Sequence, residues 1–351
     1  MATFSVNSIS IKGISCCVPK NMERNIDLDI LTQEEIQKFV EATGVEERRI
    51  ATKEICTSDL CCEAAEKLIK DLNWQKEEIE ILVFVSQTAD YILPVSAAIL
   101  QDRLGLSTNC IAFDVPLGCS GYVYGISIIA AMMKATGLKK GLLLAGDTSS
   151  KLLSKTDKST VPLFGDGGST TAFEFDENAD DLFFDLGTDG SGYKTIMIND
   201  GGSRNRINAD SLLYQTISPG IERNACQLVL DGMDVFSFGI SQAPKTVNKL
   251  IEKFELDKES INHFVFHQAN LMMNKMIVKK LKLPVEKVPY SLKEFGNTSS
   301  ATIPLTIVAE LKNDLTNTTK DLILCGFGVG LSWGTAKIRL QNAVISDLIE
   351  I

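Results

Sequence analysis

Two stretches of this chain, Lys67–Thr88 (KLIKDLNWQKEEIEILVFVSQT) and Lys249–Asn270 (KLIEKFELDKESINHFVFHQAN), are copies of one another. They align without a gap at an offset of 182 (249 minus 67), and 8 of the 22 positions are identical. Each copy reads as a helix end, a charged turn and a β-rich apolar strand. Self-similarity at a long fixed offset constrains a fold more than local propensity does, because both copies must adopt one unit. A second echo supports the first. Leu142–Gly146 (LLLAG) resembles Leu322–Gly326 (LILCG) at an offset of 180 (322 minus 142). Each run follows a long apolar helical stretch, and that stretch follows Gly118-Cys119 in one half and Gly296-Asn297 in the other.

The chain is therefore expected to hold two α/β halves, 1–176 and 177–351, joined near the acidic run Glu174–Asp181. Strands that are apolar throughout (Ile81–Val85, Leu142–Ala145, Phe264–Phe266, Leu322–Cys325) predict largely parallel sheets covered on both faces. In a pseudo-two-fold pair, the helices after Cys119 and Asn297 are partners across the axis. Ligand sites of α/β sheets gather at the carboxyl ends of strands. Cys119, His267 and Asn297, far apart in sequence, can meet there.

Composition narrows the function. Of 351 residues, 44% are hydrophobic and 23% charged, as in an ordinary globular protein. A net charge of -10 argues against nucleic acid as the main partner, since phosphate binding needs a basic surface. Met1–Gly13 has no basic stretch followed by an apolar one, so no signal peptide is expected. Gly121–Met133 is too short for a membrane span and fits a buried helix. The nine cysteines include no CxxC pair, and only His263 and His267 accompany them, so a metal site is not expected. Reduced thiols in a cytoplasmic protein are the simplest reading.

Among the cysteines, Cys119 stands apart. Phe113–Gly118 leads into it, and Ser120 to Thr136 carries one charge, Lys134, before Gly137, a helix stop. At a helix N-terminus the macrodipole and free N–H groups are expected to favour the thiolate and lower its pKa. The other eight cysteines read as small buried hydrophobes. His267 ends a strand and precedes the helix Leu271–Lys282, whereas His263 reads as a structural or surface residue. Asn297, between Gly296 and Thr298, is of the kind found in turns, but it matches Cys119 in setting.

Such a trio supports acyl transfer onto a thiolate followed by carbon–carbon bond formation. When a malonyl thioester loses CO2, negative charge grows on the thioester oxygen. Neutral N–H donors from an imidazole and a carboxamide stabilise it without protonating the carbanion. A thiol hydrolase would need a third group to orient the histidine, and no Asp or Glu is evidently placed for that. A non-catalytic partner subunit would lack one of the three. Transfer of the acyl group to a non-malonyl acceptor stays open, because the trio serves it equally.

Gly118-Cys119-Ser120-Gly121, Phe164-Gly165-Asp166-Gly167, His267-Gln268-Ala269-Asn270, Gly296-Asn297-Thr298-Ser299 and Gly326–Gly334 together resemble the β-ketoacyl-acyl-carrier-protein synthase III family of the thiolase superfamily. The resemblance runs nearly the whole chain in order. It implies a thiolase-like duplicated αβαβα fold of five layers, a homodimer, and a catalytic triad of Cys119, His267 and Asn297. No cofactor is implied; acyl-coenzyme A or acyl-carrier-protein thioesters would acylate Cys119, and malonyl-acyl carrier protein would extend it to a β-ketoacyl product. The N–H of Cys119 and another from Gly328-Val329-Gly330 would form the oxyanion hole. Leu93 matches the place from which the other subunit closes the pocket.

Departures from the family concern the donor. The places of a Trp and an Arg that hold coenzyme A before the Thr43-Gly44-Val45-Glu46-Glu47-Arg48 motif are taken by Lys38 and Ala42. Lys158 stands for a second Arg, Met233 for a pantetheine-contacting Asn, and Met272 for a basic docking residue. Basic surface persists at Lys275, Lys279, Lys280 and Lys282, and at Lys139-Lys140; Lys275, Lys279 and Lys280 are the candidate landing patch for an acidic carrier protein. Met272, Met273 and Met276 read as core packing.

Overall fold

The computed structural model describes residues 2–351. In the first half, strands β1 (Ala2–Val6) and β2 (Ile9–Val18) precede helices α1 (Gln33–Thr43) and α2 (Thr57–Asp71). Then come β3 (Ile81–Val85), α3 (Ser96–Arg103), β4 (Ile111–Val115), α4 (Gly121–Thr136), β5 (Lys140–Thr148) and β6 (Asp166–Phe175). The second half runs β7 (Leu182–Thr188), α5 (Gly232–Lys253), β8 (His263–Phe266), α6 (Leu271–Leu281), α7 (Leu292–Phe295), α8 (Thr302–Leu315), β9 (Thr319–Gly328) and β10 (Ser332–Gln341). Two short strands follow, β11 (Val344–Ile345) and β12 (Ile349–Glu350).

Local chemistry sets the helix ends. Thr32 and Glu35 form a reciprocal capping box on α1. Gly137 closes α4 in the left-handed region at φ 78°, its N–H bonded to the Met133 carbonyl. The two copies of the sequence repeat become the same unit: the end of α2, a 3-10 turn and β3 in one half, the end of α5, a 3-10 turn and β8 in the other.

One sheet has the order β11-β2-β6-β5-β3-β4, with β12 also on β2; the other is β1-β7-β10-β9-β8. Only part of the pairing is parallel. β3 pairs in parallel with β4 and β5, and β8 with β9. β6 runs antiparallel to β2 and β5, and β10 antiparallel to β9 and β7. The expectation of largely parallel sheets is thus corrected to mixed sheets. An apolar run reports burial on both faces, and that burial is the same whichever way the neighbour runs.

α4 and α8 lie between the sheets, where Ile126, Ile129, Ile303 and Ile307 meet Val85, Leu143, Val265 and Leu324 in one core. α2 and α3 cover the far face of the first sheet, and α5 and α6 that of the second. The layers are helix, sheet, helices, sheet, helix. Each fully buried Ile or Leu here contributes about 2 kcal/mol by area, so the central layer is a fixed frame for the strand ends above it. Residues 176–181 join β6 to β7. The terminal strands, however, cross over: β1 pairs with β7 of the second half, and β11 and β12 with β2 of the first. No helix among the described residues is long and apolar enough to cross a membrane.

Candidate active site

Cys119, His267 and Asn297 line one cavity of about 80 Å³. Each arrives by its own local route. β4 ends at Val115, and the turn 116–120 lifts Cys119 onto the start of α4. Gly118 leaves room for its neighbours: a Cβ there would press on the Gln87 carboxamide, which could swing away, and would stand 2.8 Å from Val329 Cγ1. Gly328 at φ 159° is required by the nucleophile itself. A Cβ on it would stand 2.7 Å from Cys119 Cβ and 2.8 Å from Sγ.

His267 follows β8, its N–H bonded to the Cys325 carbonyl at 2.8 Å. It is 1% exposed and packs edge-on against Phe327, centroids 5.6 Å apart. Its Nδ1 lies 2.7 Å from Thr302 Oγ1, at the start of α8. The rest of the HQAN motif is scaffold. The Gln268 carboxamide donates to the Phe266 carbonyl and accepts from Ser291 N–H, while the Asn270 side chain caps α6 through Met273 N–H.

Asn297 does not follow a strand as expected. It follows the short helix α7 and pairs with Phe164 through an isolated parallel bridge. Its N–H donates to the Leu163 carbonyl and its carbonyl accepts from Gly165 N–H, so the FGDG segment is what seats it. The Asn297 Oδ1 accepts Ser299 N–H at 2.9 Å, which turns the NH2 group toward the cavity. Asp166 of that segment is buried and bonded to Ala51 and Ser150 N–H, and burial raises its carboxyl to about 6. α8 itself begins at Thr302 rather than at Asn297.

The electrostatics differ from the sequence expectation. Burial pushes the Cys119 thiol up to about 11, against the pull of Val329 N–H and the Ser299 hydroxyl. Two pKa units correspond to roughly 3 kcal/mol; a helix terminus typically returns about 0.3–1 kcal/mol. The predicted lowering is therefore outweighed. Burial also drives His267 down to about 3, so no thiolate–imidazolium pair stabilises the sulfur. Burial holds both groups toward their neutral forms.

Asp147, at the end of β5, was missed in the sequence because nothing in its neighbours marks it. It is 1% exposed, lines the cavity, and accepts from Gln87 N–H, Ser86 Oγ, Ser300 N–H and Ser300 Oγ. Burial raises its pKa. This carboxylate ties the end of β3 to the loop that carries Asn297. Besides the trio the cavity is lined by the polar Gln87, Asp147, Ser149 and Ser299, and one side is apolar, with Leu152, Leu163, Phe164, Ile196 and Leu230 among its walls.

Other expected site residues fall elsewhere. Gly328 and Val329 line the cavity; Gly330 does not. Leu93 is 81% exposed beside Tyr91 and Ile92 and does not line the cavity. Lys275 and Lys279 are exposed on α6 and make no ion pair among the described residues, while Lys280 donates to the Ile240 carbonyl. Of the three methionines read as core, only Met273 is buried; Met272 and Met276 are 50% and 37% exposed, because they share the outer stripe of α6 with Lys275 and Lys279. Lys38 is paired with Glu34 and Lys158 with Glu35. His263 is held by Asp314 at 2.7 Å.

Comparison with known proteins places the chain in a family. Residues 113–190 match the 3-oxoacyl-[acyl-carrier-protein] synthase III family, and residues 251–340 match its C-terminal family. The chain is 32% identical over 336 residues to the beta-ketoacyl-[acyl-carrier-protein] synthase III of Fusobacterium nucleatum, covering 95% of this chain and 99% of that one. A crystal structure of 3-oxoacyl-(acyl-carrier protein) synthase from Burkholderia xenovorans superposes with a TM-score of 0.94 at 36% identity, over 100% of this chain and 99% of the other. A synthase III structure from Pseudomonas aeruginosa gives 0.84 at 27% identity, over 96% and 100%. The chain belongs to the β-ketoacyl-acyl-carrier-protein synthase III family of condensing acyltransferases and has its thiolase-like duplicated fold.

Proposed function

We propose that this enzyme transfers an acyl group from a thioester to Cys119 and condenses it with malonyl-acyl carrier protein, releasing CO2 and a β-ketoacyl-acyl carrier protein. The observation that carries this reading is the convergence of Cys119, His267 and the NH2 of Asn297 on one cavity closed by Gly328. In the first half-reaction the Cys119 sulfur attacks the thioester carbon and the donor thiol leaves. The tetrahedral oxyanion takes N–H donors from Cys119 and the Val329 loop. In the second, the malonyl carbon–carbon bond breaks and CO2 departs. The enolate oxygen is stabilised by Asn297 Nδ2–H and His267, its carbon attacks the acyl-Cys119 carbonyl, and the acyl carbon–sulfur bond breaks, freeing the β-ketoacyl product and returning the Cys119 sulfur to be reprotonated from solvent. A neutral His267 suits this step, because an imidazolium would quench the carbanion. The thioesters supply all the reacting groups, so no cofactor is called for.

The working form is proposed to be a homodimer. β4 is an edge strand paired only with β3 among the described residues, and the neighbouring Tyr91, Ile92 and Leu93 are 64%, 93% and 81% exposed. An open strand edge beside an apolar loop favours a second copy. Carrier protein is proposed to land on the outer stripe of α6, where Met272 and Met276 alternate with Lys275 and Lys279.

Intact-protein mass spectrometry tests the reading. Wild type and Cys119→Ala are incubated with a panel of acyl-coenzyme A and acyl-carrier-protein thioesters, then with malonyl-acyl carrier protein. An acyl mass on wild type alone, discharged as β-ketoacyl product, is expected. Acylation without discharge by malonyl-acyl carrier protein would point to a different acceptor. No acylation by any donor would remove Cys119 as nucleophile.

A further inference from the structure

We infer that the acyl group taken up by Cys119 is a short one carrying a hydroxyl on its chain, and that Ser149 and Gln87 recognise that hydroxyl. This primer belongs to the reaction proposed above, on which the inference rests. Ser149 opens the 3-10 turn that follows β5, is 6% exposed and lines the cavity. Its neighbours on either side spend their hydroxyls inside the protein. Thr148 Oγ1 pairs with Thr57 Oγ1 at 3.1 Å, and Ser150 Oγ donates to Asp166. The Ser149 hydroxyl has no protein partner among the described residues, so its hydrogen bonds are left for whatever fills the cavity. The Gln87 carboxamide is in the same position. It lies against Gly118, beside the nucleophile, and has no partner among the described residues, whereas the Gln87 backbone N–H donates to Asp147. The other polar walls are engaged: Asp147 accepts from Ser86 and Ser300, and the Ser299 hydroxyl bonds the Cys119 sulfur.

Size and charge narrow the class. A cavity of about 80 Å³ holds roughly five to eight water-sized groups. That admits a few carbons beyond the thioester carbonyl and no long hydrocarbon. No Lys or Arg lines the cavity and Asp147 does, so a carboxylate on the chain would be buried without a counter-charge. A neutral oxygen suits both free groups. A hydroxyl donates once and also accepts, and the Ser149 hydroxyl and the Gln87 carboxamide each do both, so either order of donation closes the contacts. A plain alkyl chain of equal length displaces water that would serve Ser149 and Gln87 and returns nothing to them. Leu163, Phe164, Ile196 and Leu230, on the apolar side, are left to pack on the carbons. Such discrimination is on the order of tenfold or more, because the analogue lacking the hydroxyl leaves the site's polar groups unpaired. The hydroxyl takes no part in bond making: Sγ attacks the thioester carbon and the donor thiol leaves, as above.

Competition for Cys119 tests this. Full-length protein receives butanoyl pantetheine thioester together with an equal amount of the 2-, 3- or 4-hydroxybutanoyl thioester, one isomer at a time. Intact-protein mass spectrometry then reads the acyl mass, since the two adducts differ by one oxygen. At least one hydroxy isomer is expected to prevail over butanoyl on the order of tenfold. Ser149→Ala should erase that preference, and Gln87→Leu should lower it several-fold. Butanoyl prevailing over all three isomers in the wild type would overturn the inference, as would a preference unmoved in Ser149→Ala. If the alanine variant does not fold, the wild-type competition and Gln87→Leu decide alone. Should Cys119 take up none of the thioesters, the proposed reaction fails, and the preference is read instead from calorimetric binding of the matching pantetheine amides, which the sulfur cannot discharge. Tighter binding of a hydroxybutanoyl amide by the wild type, levelled in Ser149→Ala, sustains the inference; equal binding of all the amides sinks it.

Discussion

Turn for turn, the two halves of this molecule are built alike and equipped differently. Where β4 gives way to α4, the first half presents Cys119; in the matching place before α8, the second half presents Asn297. Where β3 ends, the first half has Val85, fully buried; where its copy β8 ends, the second half has His267. At the ends of β5 and β9 the difference runs the other way, with Asp147 buried in one half and Phe327 in the other. Duplication thus supplied one frame with paired positions, and chemistry occupies one member of each pair. The pseudo-two-fold arrangement then brings the occupied members to one cavity.

Removing the nucleophile tests that division most severely. Cys119→Ala should lower condensation by on the order of 10⁴-fold and abolish the acyl mass. Cys325→Ala, which touches the buried thiol of the other half on β9, should keep the acyl mass. If both variants acylate alike, the assignment of the nucleophile to the first half is wrong. Asn297→Ala should leave acylation of Cys119 intact while slowing discharge by malonyl-acyl carrier protein about 10²–10³-fold. Equal loss in both half-reactions would mean that Asn297 builds the loop and does no more.

The nucleophile's acidity gives a further handle. With the thiol at about 11, iodoacetamide labelling of Cys119 should climb by about tenfold per pH unit from pH 7 to 10. A rate already level above pH 7 would show that the helix terminus prevails over burial. Gly328→Ala should slow acylation by about tenfold with the fold retained, since its methyl group competes for the space of Sγ. Smallest is the surface effect: Lys275→Glu with Lys279→Glu should raise KM for carrier-protein substrates several-fold and leave small thioesters unaffected. An equal rise for both donors would place docking elsewhere.

Much of this was legible in the sequence because it is written in periodicity and glycine. The gapless repeat foretold the duplicated unit, and the glycine-rich turns marked close approaches of the backbone: Gly328 lies against Cys119, and Gly296 against the Leu163 carbonyl. What escaped notice depends on three-dimensional company. Thr302 reads as an unremarkable helix residue until His267 stands 2.7 Å away. Asp147 ends an apolar strand like many surface turn acids, yet it is buried and accepts five hydrogen bonds. Strand direction was misjudged because Leu142–Ala145 and Leu322–Cys325, buried on both faces like parallel strands, each also pair with an antiparallel neighbour. Met272 and Met276 misled in the opposite sense, their spacing matching a core stripe although they face outward.

The crossed terminal strands have a consequence for how the enzyme comes into being. β2 carries part of the central core of the first half, but its outer edge is covered only by Val344–Ile345 and Ile349–Glu350. During synthesis, every residue of the cavity has left the ribosome before that edge is sealed. A chain halted before Val344 would hold all three reactive side chains and still expose a long apolar strand edge to its neighbours. Protection of that edge thereby waits on residues that follow every residue of the cavity, and chains ended before Val344 should be lost to aggregation rather than linger as active fragments.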